Sequence, residues 1–334
     1  MATGTLFALA AGLMWGLVFV SPLLLPDYPA AMQAFGRYIA FGLLALPLAW
    51  LDRSRLAQLS RADWLAAAQL GLVGNIFYYL FLASAIAHAG GPLPTMIIGT
   101  LPVVIAISSN LRDAKRDGRL PWLRLLPSLL LIAAGIACVN QVELAHLRVQ
   151  PSGDPGRYLW GGALAVGALA CWTWYPMRNA DWLRKHPGRS PRAWATAQGL
   201  ATLPMALLGY ALFWGWRAAG GDALAMPLAM PLGPRPEVFV GLMFAMGLFA
   251  SWLGTLCWNE ASQRLPTALV GQLIVFETLA ALAYALLLRG TVPPLLTGMG
   301  LALLVAGVVM ALRVGPSRWR RKGMQAERPG QSKW

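Results

Sequence analysis

Hydrophobic positions along this chain come in unbroken blocks, not in strand-like alternation or narrow helical stripes. Ten blocks can be marked: Leu6–Pro22, Ala30–Trp50, Trp64–Ala87, Pro92–Leu111, Leu125–Val142, Tyr158–Met177, Ala193–Trp216, Val238–Trp258, Thr267–Leu288 and Leu295–Leu312. Each is 17 to 24 residues long, the length a helix needs to cross the hydrocarbon core of a bilayer. Backbone groups find no water there, so such blocks predict helices rather than strands. Of the 40 charged side chains only Arg37 and Glu277 fall inside a block. The pattern predicts an all-α polytopic membrane protein of ten transmembrane helices. No basic leader precedes the first block and no small-residue cleavage site closes it, so it is expected to stay as the first span.

The connections set the expected orientation. With the N-terminus in the cytoplasm, 21 of the 27 Lys and Arg residues lie on the cytoplasmic side and five on the other, as retention of basic loops requires. An even number of spans returns the C-terminus to the same side. The tail 314–334 carries Arg318-Trp319-Arg320-Arg321-Lys322; it is expected to act as a topological anchor, with attraction to anionic lipid as its second role. Composition then adds exclusions. The chain is 57% hydrophobic and 12% charged, far from the roughly 25% charged residues of soluble domains, which argues against a water-soluble enzyme and against disorder. The net charge of +14 is explained by the loop asymmetry without a nucleic-acid partner. Cys138, Cys171 and Cys257 all lie inside apolar blocks, so no disulfide framework or metal-spaced cluster is expected.

An internal repeat shapes the architecture. The segment from Gly4 to Trp15 aligns with that from Gly161 to Trp172 at a shift of 157, and Ala85–Leu93 aligns weakly with Ala261–Leu269 at a shift of 176. Five spans per half is an odd number, so the second half is expected to run inverted. Inverted repeats are a hallmark of secondary carriers, whose substrate site lies between them near the midplane. The expected units are a first five-helix repeat (1–150), a second inverted repeat (151–313) and the basic tail (314–334), with the polar stretch Glu143–Arg157 as the joint.

Ten helices, the pair Trp15-Gly16 in the first, and Arg37 early in the second together resemble the drug/metabolite transporter superfamily, in particular its EamA-type carriers, over residues 4–313. The aromatic pieces Asn75-Ile-Phe-Tyr-Tyr79 and Trp172-Thr-Trp-Tyr-Pro176 make the chain most similar to the bacterial aromatic amino-acid exporter branch. The resemblance implies a basket of helices around a central cavity, a place in the bacterial inner membrane, and efflux of small metabolites. One feature departs from it: many relatives close helices four and nine with an acid, where this chain has Asn110 and Arg289.

No enzymatic constellation is present. His88, His146 and His186 lie far apart in or beside loops, and no block holds paired carboxylates or a Gly-rich phosphate loop. A charge at the centre of a helix costs about 2.5–3.5 kcal/mol on insertion scales, so Arg37 and Glu277 must face a cavity or a partner. Arg37 sits about seven residues from the outer end of its block, within snorkelling reach, and either satisfies polar groups where helices break or binds a substrate carboxylate. Glu277 is mid-block and either handles a proton or a substrate amino group, or is a structural acid. Trp50, Trp64, Trp122, Trp160, Trp216 and Trp258 fit the headgroup belts. The deeper Trp15, Tyr78, Tyr79, Trp172, Trp174, Tyr175 and Trp252 are candidate cavity aromatics, with Asn75, Thr100 and Ser251 as hydrogen-bonding partners for a zwitterion. Gly12-x-x-x-Gly16 reads as a helix-packing face, and Pro92, Pro94 and Pro102 predict kinks in the fourth helix. The expected function is a monomeric secondary transporter exporting small amphipathic metabolites, aromatic or bulky apolar amino acids first, by alternating access and without a metal or cofactor. The rivals are a carrier for another metabolite or drug class and a non-transporting membrane scaffold or sensor.

Overall fold

The computed structural model describes residues 2–25, 27–89, 92–112, 122–149, 155–220, 231–265, 267–290 and 295–313. Among the described residues the regular structure is helical, with no strand. Four stretches are long and apolar enough to cross a membrane: Ala30–Leu51, Arg61–Leu82, Pro191–Ala218 and Pro236–Arg264. Shorter apolar helices include Ala2–Gly16, Leu126–Cys138, Leu269–Ala281 and Gly298–Gly307. Large apolar side chains also cover the outside, and polar ones enter the core. Leu46, Leu65, Leu123, Leu208 and Leu295 stand on the outside, while Gln198, Gln272, Asn179 and Asn259 are buried. Lipid solvates the first group at no cost, and helix–helix hydrogen bonding satisfies Gln198, Asn179 and Asn259. The chain is an all-α membrane protein.

Several apolar blocks are not single α-helices. The first is Ala2–Gly16, a 3₁₀ turn Leu17–Phe19, then Val20–Leu24. The fourth divides at Thr100 into Pro92–Gly99 and Leu101–Arg112. Pro102 is the physical cause, since its ring collides with the carbonyl four residues back and supplies no N–H. The ninth divides into Thr267–Leu273 and Val275–Arg289, just before Glu277. The third and eighth each contain a seven-residue π-helical segment, Gly71–Phe77 and Gly247–Leu253. No proline marks either, so the hydrophobic pattern alone does not announce them.

Other helices outrun their blocks. Trp122–Val149 and Pro155–Lys185 carry helical backbone through most of the polar stretch Glu143–Arg157, expected to be a loop. Glu, Leu, Ala and Arg are strong helix formers, so leaving the hydrocarbon does not end a helix. Residues 150–154 lie outside the described part, as does the basic tail 314–334 with its expected lipid contact.

Small residues set the closest helix contacts, and these contacts recur at the repeat spacings. A Cβ placed on Gly42 would lie 2.5 Å from Leu203 Cβ, and one on Gly199 would lie 2.9 Å from Ala45 Cβ. Gly42 and Gly199 are 157 positions apart. Gly4 abuts Leu265 and Gly161 abuts Ala89, with built Cβ atoms 2.9 Å and 2.5 Å from their nearest neighbours there. The glycines are 157 apart and their partners 176 apart. The π segments begin at Gly71, against Thr202, and at Gly247, whose Cβ would lie 2.8 Å from the Phe41 amide; these two glycines are again 176 apart.

Gly12 and Gly16 bring the first helix onto the Glu277 helix, where a Cβ would lie 3.1 Å from the Glu277 amide and 2.7 Å from Ala280 Cβ. Gly16→Val is therefore expected to overpack this contact at about 1–3 kcal/mol. In detergent it should lower the melting temperature, whereas Gly215→Val, with nothing within 4 Å of its Cβ position, should not.

Candidate functional site

The two intramembrane charges lie within electrostatic reach of each other. Arg37, on the Ala30–Leu51 helix, donates from Nε to Ser251 Oγ at 2.9 Å and from Nη2 to the Ala250 carbonyl at 3.4 Å. Both partners lie in the Gly247–Leu253 π segment, whose widened turn re-routes backbone bonding and leaves carbonyls for other donors. Arg37 thus turns sideways into the protein instead of reaching for the headgroups. Its guanidinium carbon also lies 5.1 Å from the Tyr38 ring centre. Glu277 opens the Val275–Arg289 helix, and Arg37 is the cation whose field reaches its carboxyl. Tyr78 interacts electrostatically with both, and Tyr79 with Arg37. A small cavity lined by Ser21, Gln33, Arg37, Tyr79, Met243 and Met246 has a volume of about 10 Å³, room for a single water.

Beside the charges runs a continuous chain of rings. Trp258 and Trp15 lie 5.0 Å apart between centroids, Trp15 and Trp172 meet edge to face at 5.7 Å, and Trp172 stacks on Tyr78 at 4.7 Å and on Tyr175 at 5.2 Å. Such offset and T-shaped pairs are the favoured aromatic geometries. Trp258 belongs here and not to a headgroup belt, being 2% exposed. The belt assignment took the end of the apolar block for the end of the helix, which in fact continues to Arg264. The indole N–H of Trp258, the amide of Gln272 and the Thr173 hydroxyl are buried with no hydrogen-bond partner. Buried donors are rarely left so.

A second polar layer follows. Tyr175 donates its hydroxyl to Gln198 Oε1 at 2.9 Å; Gln198 Nε2 and Trp194 Nε1 both donate to Asn179 Oδ1, at 3.1 and 2.9 Å; Asn179 Nδ2 donates to Asn259 Oδ1 at 2.7 Å. This network pins three helices and closes the bundle between the aromatic chain and the end where Asp52, Asp63 and Arg192 cluster. Sequence reasoning missed Asn179 and Asn259 because both lie just past the ends of apolar blocks. The usable signal was an amide within a turn of a Trp on an extended helix.

The other candidates disperse. Asn75 donates to Thr202 at 3.4 Å, and Trp252 donates its indole N–H to Thr196 at 3.1 Å, away from the ring chain. Trp174 lies under the Arg178 guanidinium at 5.9 Å. Thr100 is exposed at the helix break and bonds the Ile97 carbonyl at 2.7 Å. A groove of about 500 Å³ between Phe35, Leu72, Ile76, Met205, Leu212 and Trp216 is apolar and offers no partner for a zwitterion. Asn110 and Arg289 lie on described helices.

An all-α bundle with isolated charges inside apolar blocks and discontinuous helices is the build of a membrane transporter. Its similarity to known proteins defines which. Residues 2–141 match the EamA-like transporter family. The chain is 53% identical over 318 residues to the inner membrane protein YtfF of Escherichia coli (strain K12), covering 95% of this chain and 97% of that protein. A crystal structure 19% identical in sequence superposes with a TM-score of 0.69 over 96% of this chain and 99% of its own, which shows a shared fold. The chain belongs to the EamA-like transporter family of the drug/metabolite type and is a multi-pass inner membrane protein, a transporter rather than an enzyme.

Proposed function

We propose that this transporter exports small amphipathic metabolites, first among them aromatic or bulky apolar amino acids, by alternating access across the inner membrane. The observation that carries this reading is the Trp15–Trp172–Tyr78–Tyr175 ring chain, with Arg37 lining a cavity beside Tyr79 and Glu277 on the helix that packs against Gly12 of the Trp15 helix. An amino acid offers a carboxylate for the Arg37 fork, an ammonium or a displaced proton for Glu277, and an apolar side chain to stack on the rings. Arg37 now spends its donors on Ser251 and the Ala250 carbonyl, so substrate binding amounts to exchanging those bonds for a carboxylate. Such an exchange leaves few unpaired groups in either state.

The reading includes ten spans arranged as two inverted repeats, with both termini cytoplasmic. Three pairs of reciprocal contacts support it: Gly42–Leu203 with Gly199–Ala45, Gly4–Leu265 with Gly161–Ala89, and the two π segments each seated on the second helix of the other half. A twofold relation between halves produces contacts in such pairs. The π segments and the breaks before Leu101 and Val275 are the places where helices can rearrange without losing their hydrogen bonding to neighbours. A periplasm-dependent reporter fused after Lys322 should stay silent; activity there would refute the even number of spans.

The direct experiment is counterflow in liposomes. Purified protein should exchange a labelled aromatic amino acid saturably, and absence of exchange with every amino acid would remove the substrate class. Trp172→Ala should weaken apparent affinity several-fold, since ring stacking contributes about 0.5–1.5 kcal/mol beyond area. Trp174→Ala, outside the ring chain, should leave affinity within about twofold.

A further inference from the structure

At the basic end of the bundle lies a cavity of about 160 Å³ that the transport reading does not use. Its floor is the indole pair Trp182 and Trp194, stacked at 3.4 Å and 5°. Both indole N–H groups are spent elsewhere, on Asp63 at 2.8 Å and Asn179 at 2.9 Å, so the floor is an apolar slab. The rim is cationic. Arg55, Gln58, Arg189 and Ser190 line it, and Ser190 caps the 28-residue helix Pro191–Ala218, whose N-terminal dipole adds partial positive charge.

The two carboxylates near this cavity are already committed. Asp52 accepts both prongs of Arg192, with Nε at 2.8 Å from Oδ2. Asp63 accepts from the Ser60 amide and hydroxyl and from Trp182, and lies 3.7 Å from His186. What remains for Arg55 is two long contacts of 3.5 Å, to Asp52 and Ser190, and for Arg189 one bond of 2.8 Å to the neutral Gln58. Two guanidinium forks therefore face a space with room for about five waters and with little opposing charge among the described residues. Planar forks match phosphate oxygens two at a time.

We propose that this cavity binds a phosphate-bearing anion, the phosphate held by Arg55 and Arg189 with the Ser190 helix end and its carbon attachment resting on the Trp182 face. The chemistry is shared by an anionic lipid headgroup and by a free phosphorylated solute. Basic pockets between helices commonly take the former. The site is independent of the transport reading, and its test measures binding, not transport.

The full-length protein is placed in phosphatidylcholine nanodiscs, and its melting temperature is read with phosphatidylglycerol added to the bilayer or with inorganic phosphate added to the buffer. A saturable rise of a few degrees is expected with at least one probe. A response to the lipid alone assigns a headgroup; a response to inorganic phosphate assigns a free solute. The double variant Arg55→Gln/Arg189→Gln should weaken binding by about tenfold or more. Gly188→Leu keeps every charge but adds bulk at the cavity lining, where its Cβ would meet no other atom within 4 Å; it should abolish the response as well. Arg53→Gln, whose guanidinium lies over Trp50 at 5.4 Å outside the cavity, should respond as the parent does. No shift with either probe, a full shift in Gly188→Leu, or an equal loss in Arg53→Gln would overturn the proposal.

Discussion

Glu277→Gln is expected to keep substrate exchange within about twofold of the parent while losing the response to a pH gradient. The carboxyl sits where the ninth apolar block breaks, its amide bonded to the Ile274 carbonyl at 2.9 Å and its charge within electrostatic reach of Arg37. Gln preserves shape and hydrogen bonding and removes only titration, so a proton-coupling role and a binding role separate cleanly. If Glu277 instead holds a substrate ammonium, exchange falls at every pH. A variant that matches the parent in both counterflow and pH-driven uptake would make Glu277 a structural acid.

Arg37→Gln is expected to abolish exchange and to destabilise the protein. It removes the Ser251 and Ala250 bonds, and with them the cation within electrostatic reach of Glu277. Leaving the buried Ser251 hydroxyl and the Ala250 carbonyl without their donor costs about 1–3 kcal/mol per group. Arg37→Lys keeps the charge but not the fork, so it should recover stability while exchange remains below about a tenth of the parent. The double variant Arg37→Gln/Glu277→Gln should melt higher than Arg37→Gln alone, because it also removes the carboxyl left without a nearby cation. If it does not, the two groups are uncoupled, and their joint role in the substrate reading fails.

Much of this protein was determined by sequence alone. Blocks of about 20 apolar residues dictate helices, because hydrocarbon leaves the backbone no other way to satisfy its polar groups. The isolation of Arg37 and Glu277 marked them as the groups that must find partners, and Gly12 and Gly16 marked the face on which the first helix packs. Pro102 announced the break in the fourth block. Tertiary structure decided what sequence spacing does not encode. Hydropathy reports where lipid ends and not where a helix ends, so Trp258 reads as a belt residue and Asn179 goes unmarked, although they lie at the core of the ring chain and the polar network. The π segments arise where Gly71 and Gly247 press against Thr202 and Phe41 on distant helices, a packing demand with no local residue signature. The partners of Arg37 are 213 and 214 positions away, and only the close approach of two helices in the folded bundle selects them.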